Sequence, residues 1–177
     1  MANTKTIYTA KTPSAIVGGT AHGTTETQFL DAAGNPLKIY IPGSSTMDGK
    51  PFQVVVAGRV TGGTTVNFTL NLAHGVSATY SSNTTIATSG AVAVNSASTN
   101  FLMIVYLIWD STSLILQGCS GDGWWGTTPT IHTKAVTTAR TAVDLTVDGV
   151  GFTVTGTFSG SNANNAAYIT SLSLNVL

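Results

Sequence analysis

The ionisable side chains of this sequence are few and scattered. Its acids are Glu26, Asp31, Asp48, Asp110, Asp122, Asp144 and Asp148, and its histidines are His22, His74 and His132. A hydrolase built on paired carboxylates needs two of them to converge across a cleft. Most of these acids instead stand at turns or strand ends beside Gly, Ser or Pro, where a carboxylate mainly caps backbone N–H groups. The histidines lie far apart, with neither His-x-His nor His-Glu-x-x-His spacing, so the sequence encodes no local zinc centre or hydrolytic triad. Gly118-Cys119-Ser120-Gly121 falls one residue short of the Gly-x-Ser-x-Gly nucleophile elbow. Gly43-Ser44-Ser45 and Gly121-Asp122-Gly123 lack the lysine and the helix of a phosphate loop. This inventory predicts a protein that is not an enzyme and that uses no metal and no organic cofactor.

The local cluster with a binding character is Trp124-Trp125, set between Gly123 and Gly126. Large aromatics on a loop can stack on sugars or anchor a protein interface. They can equally cap the end of a core, and the sequence leaves these readings open. Cys119 is the single cysteine, so there is no intrachain disulfide and no cysteine-based metal site. Asn67-Phe68-Thr69 and Asn83-Thr84-Thr85 match the glycosylation acceptor pattern, as chance matches do in a chain this rich in Asn and Thr.

Charge excludes further classes. Charged residues make up 8% of the 177 and sum to zero at pH 7, against about 25% in an ordinary soluble domain. No basic cluster exists to neutralise phosphates, so nucleic acid is not an expected partner. With 42% hydrophobic residues the chain is not a disordered tract. Zero net charge gives no self-repulsion between copies, which suits a protein that works assembled. Residues 1–11 lack the apolar core of a secretory signal, and no stretch reaches the roughly 20 apolar residues of a membrane-spanning helix. Synthesis in a cytoplasm, with no membrane partner, is the expectation.

The elements that must position these residues are strands. Sequence patterning predicts them at Thr27–Leu30, Leu37–Ile41, Phe52–Val60, Val66–Leu72, Thr84–Ala87, Ala91–Asn95, Phe101–Trp109, Leu114–Gly118, Val143–Val147, Phe152–Phe158 and a last strand ending at Val176. Asp31–Pro36, Asp48-Gly49, Asp110–Ser113, Gly149–Gly151 and Gly160–Asn165 supply turn chemistry between them. No window carries a 3.6-residue apolar stripe. About ten short strands with frequent turns give an antiparallel β-sandwich, all-β, in a single domain over residues 26–177. Residues 1–25 read as an extended N-terminal arm, with an idle tail as the alternative. Ile169 falls out of phase with Leu172, Leu174 and Val176, which predicts a bulge.

Phe101–Trp109 imposes the strongest constraint. It is nine consecutive apolar residues between Asn100 and Asp110, so both faces of the strand call for burial. Phe101, Met103, Val105, Leu107 and Trp109 share one face; Leu102, Ile104, Tyr106 and Ile108 share the other. A sandwich core takes one of them. The second needs a neighbouring subunit, or else an arm or loop of the same chain.

The wording of several strands resembles a group of tailed-bacteriophage head decoration (cement) proteins with a tumour-necrosis-factor-like jelly roll. The resemblance is carried by Pro36–Gly43, by Asp48–Phe52 with Val54–Val60, and by Phe101–Ser111. It continues through Val143–Val147, Gly151–Gly156 and Asn164–Ile169. It implies a homotrimer on the outer surface of a virion capsid, with an N-terminal segment reaching major capsid protein, but transfers no binding site residue by residue. In this sequence the arm offers Lys5, Ile7, Tyr8 and Lys11 for that contact, and the two-faced strand with the out-of-phase Tyr168-Ile169 offers Phe101, Met103, Val105, Leu107, Trp109, Tyr168 and Ile169 as candidates for the trimer interface. A jelly-roll receptor- or glycan-binding head of a virion fibre, using Trp124 and Trp125, is the competing expectation.

Overall fold

The computed structural model describes residues 5, 6, 14, 15, 24–30, 35–41, 48–63, 66–77, 82–94, 96, 99–127, 130–147 and 149–177. Strands dominate them: β1 (Lys5–Thr6), β2 (Ser14–Ala15), β3 (Thr27–Gln28), β4 (Lys38–Tyr40), β5 (Pro51–Thr61), β6 (Val66–Gly75), β7 (Thr84–Thr88), β8 (Val92–Val94), β9 (Thr99–Asp110), β10 (Ile115–Thr127), β11 (Thr130–Ala135), β12 (Thr137–Thr138), β13 (Arg140–Ala142), β14 (Gly151–Phe158) and β15 (Ala166–Val176). They form two antiparallel sheets stacked as a jelly-roll β-sandwich. The first sheet runs β1-β15-β5-β9-β10-β11, with β2 on β15 and β13 on β10. The second runs β12-β7-β6-β14-β3, with β4 on β14 and β8 on β6.

Alternation builds the core. From the first sheet, Phe52, Val54 and Val56 of β5, the Phe101-to-Trp109 row of β9, and Leu172 and Leu174 of β15 turn inward and are fully or almost fully buried. Phe68, Leu70 and Leu72 of β6 and Phe152, Val154 and Phe158 of β14 meet them from the second. Aromatic rings cross the gap: Phe52 lies 6.2 Å from Phe152 and Phe68 lies 6.1 Å from Phe101, centroid to centroid, both tilted. The Trp109 indole N–H donates to the Val143 carbonyl at 3.0 Å, satisfying the one polar group that this large side chain takes inside.

The observed strands depart from the expected ones at three places. Val143–Val147 has a strand's alternation but is a turn, because the Asp144 carboxylate accepts the Thr146 N–H at 2.9 Å and bends the chain. β10 runs on past Gly118, where the predicted strand ends, through Gly121 and Gly123. In the fold they are the small row over which Thr138, Val136 and the Trp125 ring pack. β11, β12 and β13 carry no pattern that marks them as strands. The bulge does occur, as a register shift between Ile169 and Ser171 where β15 meets β5.

One end of the sandwich is tied by a cation. The Lys38 ammonium donates to the carbonyls of Val76 at 2.8 Å, Ser77 at 3.3 Å and Gly149 at 2.7 Å, joining two loops. Its ammonium also stands 5.1 Å from the Tyr40 ring centroid. Burial lowers its pKa below the usual lysine value. Nearby, a shallow cleft of about 290 Å³ is lined by His74, Val76, Thr84, Val143, Asp144 and Val147. The buried His74 ring holds Thr141 through Nε2 at 2.6 Å, and its Nδ1 has no partner. Desolvation depresses the His74 pKa below 6.5.

Two outcomes follow from this packing. In Gly58→Ala the new Cβ would stand 2.1 Å from the Tyr168 carbonyl oxygen and 2.5 Å from the Phe101 ring. It should cost about 1–3 kcal/mol in denaturant unfolding, whereas Thr69→Val on the outer face of β6 should change stability by less than about 0.5 kcal/mol. Equal stability of the two variants would contradict the inner placement of Gly58. For His74 the folded state favours the neutral ring, so its contribution is present above pH 6.5 and lost as the pH falls below that value. The His74→Gln variant should therefore lose less stability than the parent between pH 7.5 and 5, and an unchanged difference would refute the assignment.

Candidate functional site

The outer faces of the two sheets differ in kind. On the second sheet, the side of β6 turned away from the core carries Asn67, Thr69 and Asn71, while β14 carries the buried Thr153 and Thr155 and the partly buried Thr157. The Glu26 carboxylate accepts from Asn71 Nδ2 at 2.7 Å and from the Thr155 hydroxyl. Asn83 Nδ2 donates to the Thr153 hydroxyl at 3.1 Å, so this face is polar and cross-linked by side-chain hydrogen bonds.

On the first sheet the outer face is apolar at its centre. The register sets Ala57, Leu102 and Trp124 side by side, then Val55, Ile104 and Asp122, then Gln53, Tyr106 and Ser120, then Pro51, Ile108 and Gln117. Leu102, Ile104, Tyr106, Val55 and Trp124 are partly buried or exposed, and Ile108 is 36% exposed. β15 borders the strip with the small Ser171 and Ser173 opposite Ala57 and Val55. This is an extended apolar strip with a polar margin, the composition of a protein contact.

The predicted site residues divide between the two faces of this sheet. Phe101, Met103, Val105, Leu107 and Trp109 are the inward row of β9 and are consumed by the chain's own core, so a second subunit cannot touch them. Ile169 is likewise fully buried. The correction has a simple cause: a nine-residue apolar run does not say which of its faces turns inward, and cross-sheet packing decides it. The face left for a partner carries Leu102, Ile104, Tyr106 and Ile108. Tyr168, on the exposed row of β15, remains available at 39% exposure.

The tryptophan pair splits as well. Trp125 is a core residue, because Gly123 leaves room for its ring to fold across the inner face. Trp124 faces outward beside Leu102. What sequence reasoning missed is that adjacent residues of a strand point to opposite faces, so the pair never acts as one platform. In the arm, Lys5 lies in β1 opposite Val176. Ile7, Tyr8 and Lys11 lie outside the described residues.

The titratable groups serve as turn caps. Asp110 accepts from the Ser113 hydroxyl at 2.5 Å and from the Thr112 N–H at 2.9 Å, which hold its carboxyl below the usual range. The Thr146 hydroxyl and N–H do the same for Asp144. Asp48 accepts from the Ser111 N–H at 2.8 Å. Among the described residues, no three His, Cys, Asp or Glu side chains gather as a metal site would require. Among them, too, no helix is long and apolar enough to cross a membrane.

Comparison with known proteins yields matches of structure alone. No protein-family model and no curated protein matches the sequence. Among solved structures, the seed lectin of Lotus tetragonolobus is 14% identical, with 99% of this chain and 90% of the lectin covered and a TM-score of 0.42. The winged bean acidic lectin is 13% identical, with 87% and 80% covered and a TM-score of 0.39. The CBM2 module of the evolved Dit of Lactobacillus casei BL23 phage J-1 is 9% identical, with 98% and 96% covered and a TM-score of 0.34.

Proposed function

We propose that this chain is a structural virion protein with no enzymatic role: a homotrimeric decoration protein that binds the outer surface of a bacteriophage capsid and cements it. The observation that carries the reading is the apolar outer face of the first sheet, where Leu102, Ile104, Tyr106 and Ile108 lie beside Val55 and Trp124. Covering it with a second copy gains on the order of 1 kcal/mol for each partly exposed large side chain. Three copies per assembly make the contacts of the arms with major capsid protein multivalent, so individually weak contacts hold together. A ligand that binds only the assembled shell stabilises it by mass action. The resemblance in strand wording to phage cement proteins supports the same reading.

A second reading keeps one specific observation. Trp124 presents part of its indole on the outer face beside Leu102 and Asp122, as an aromatic that stacks on sugars does. In that reading the chain is the receptor- or glycan-binding head of a virion fibre.

Two experiments test these readings. Deleting residues 1–25 should leave the trimer intact and abolish binding to heads assembled from major capsid protein; full occupancy by the truncated trimer would contradict the role given to the arm. Trp124→Ala should leave head occupancy within about twofold of the parent, as a rim contact does. Loss of binding on a glycan array in this variant, with occupancy absent in the parent, would favour the second reading instead.

A further inference from the structure

The two flanks of the apolar strip carry opposite charges. Along the rows that cross β5, β9 and β10 on this face, the charged side chains are Arg59 on β5 and Asp122 on β10, both exposed. Arg59 stands opposite Asn100 on one side and Tyr168 on the other, whereas Asp122 stands opposite Ile104. They lie two strands and four residues apart in the register. Strand spacing and rise make that roughly 16 Å, too far for the two to pair with each other. Leu102 and Ile104 lie between them on β9. At the far end of the face the charges are matched within the chain, where Arg140 favours the ionised Asp110 carboxyl. The flanks differ in relief as well: Ala57, Ser171 and Ser173 are small, and Trp124 carries a large ring.

A ring of identical copies turns this asymmetry into complementarity. Around a threefold axis every contact is heterologous, so one flank of each copy meets the opposite flank of the next. The β5 flank, positive and low, then faces the β10 flank, negative and raised. An exposed ion pair at the margin of an apolar contact adds little affinity. It does fix register and suppress wrong pairings, because like charges brought together are repelled. The offset of four residues is about 13 Å along a strand, so bringing Arg59 and Asp122 level inclines the strands of each copy to the axis.

We propose that Arg59 and Asp122 set the direction of self-assembly: in the assembled protein Arg59 of each copy pairs with Asp122 of the partner subunit, at the margin of the contact that covers the outward row of β9. The proposal rests on the oligomeric reading above. It gives the outer face a specificity that apolar burial alone does not supply, since an apolar strip accepts many partners in many registers, and a misplaced charge rejects them.

The test uses the full-length chain with Arg59→Glu, with Asp122→Arg and with both. Lys50→Glu, at an exposed position before β5, changes the net charge as Arg59→Glu does and serves as the control. Light scattering over a dilution series reads the concentration at which the trimer half dissociates, and circular dichroism checks that each variant is folded. Each single reversal should raise that concentration by at least about tenfold, and the double reversal should return it to within about threefold of the parent. Lys50→Glu should leave it unchanged. Arg59→Ala and Asp122→Ala, alone and together, repeat the comparison without added repulsion, and their effects should be non-additive. Singles that assemble like the parent, a double reversal no tighter than the singles, or additive alanine effects would overturn the pairing while the trimer stands. A monomeric parent removes the oligomeric reading itself. Mixing the two single reversals checks the direction: a ring of three must keep one like-charged contact, so recovery should be partial. Full recovery as a two-chain species would overturn the ring arrangement.

Discussion

Everything in this fold is arranged around the cost of leaving β9 wet. It is the one strand apolar on every residue of a nine-residue run, and it stands in the middle of its sheet with β5 on one edge and β10 on the other. Its inward row fills the core against β6 and β14. Its outward row cannot be buried by the same sandwich, because the second sheet is already on the opposite side. Among the described residues, the outer strands of the first sheet supply small and polar margins to that row: Ser171 and Ser173 on one flank, Ser120, Asp122 and Gln117 on the other. Among the described residues the second sheet differs: its side away from the core carries Thr, Asn and Glu joined by hydrogen bonds.

The same economy governs the polar groups. With so few charges, those placed inside or at a joint carry defined tasks. Lys38 ties three carbonyls of two loops, Glu26 gathers Asn71 and Thr155, and Asp48, Asp110 and Asp144 close turns. Even along the shallow cleft at one end of the sandwich, His74 is engaged with Thr141 and Asp144 with Thr146. With 8% charged residues and zero net charge, little electrostatic repulsion acts between copies of the chain.

Much of the architecture was legible because it depends on period and turn chemistry. The alternation over Val66–Leu72, the turns at Asp48-Gly49 and Asp110–Ser113, and the phase break at Ile169 each reappear as β6, as turns and as the β15 bulge. What could not be read depends on which side the second sheet lies. The two faces of β9 are equally apolar in sequence, so the row assigned to a subunit interface proved to be the core row. Trp124 and Trp125 look like one cluster on paper, yet Gly123 gives one of them a place inside. Val143–Val147 alternates like a strand, but a single Asx turn outweighs five residues of pattern. Gly118, Gly121 and Gly123 serve as close-packing positions, which no local pattern marks.

The central claim is that the outward row of β9 is covered by another copy of the chain. The most direct measurement is the molar mass of the unsubstituted protein by light scattering at micromolar and sub-micromolar concentrations. A stable mass of three times 18.1 kDa at both is the predicted result. A mass of 18.1 kDa at both would mean that Leu102, Ile104, Tyr106 and Ile108 are covered within a single chain, and the account of this protein as a self-assembling structural unit would be contradicted.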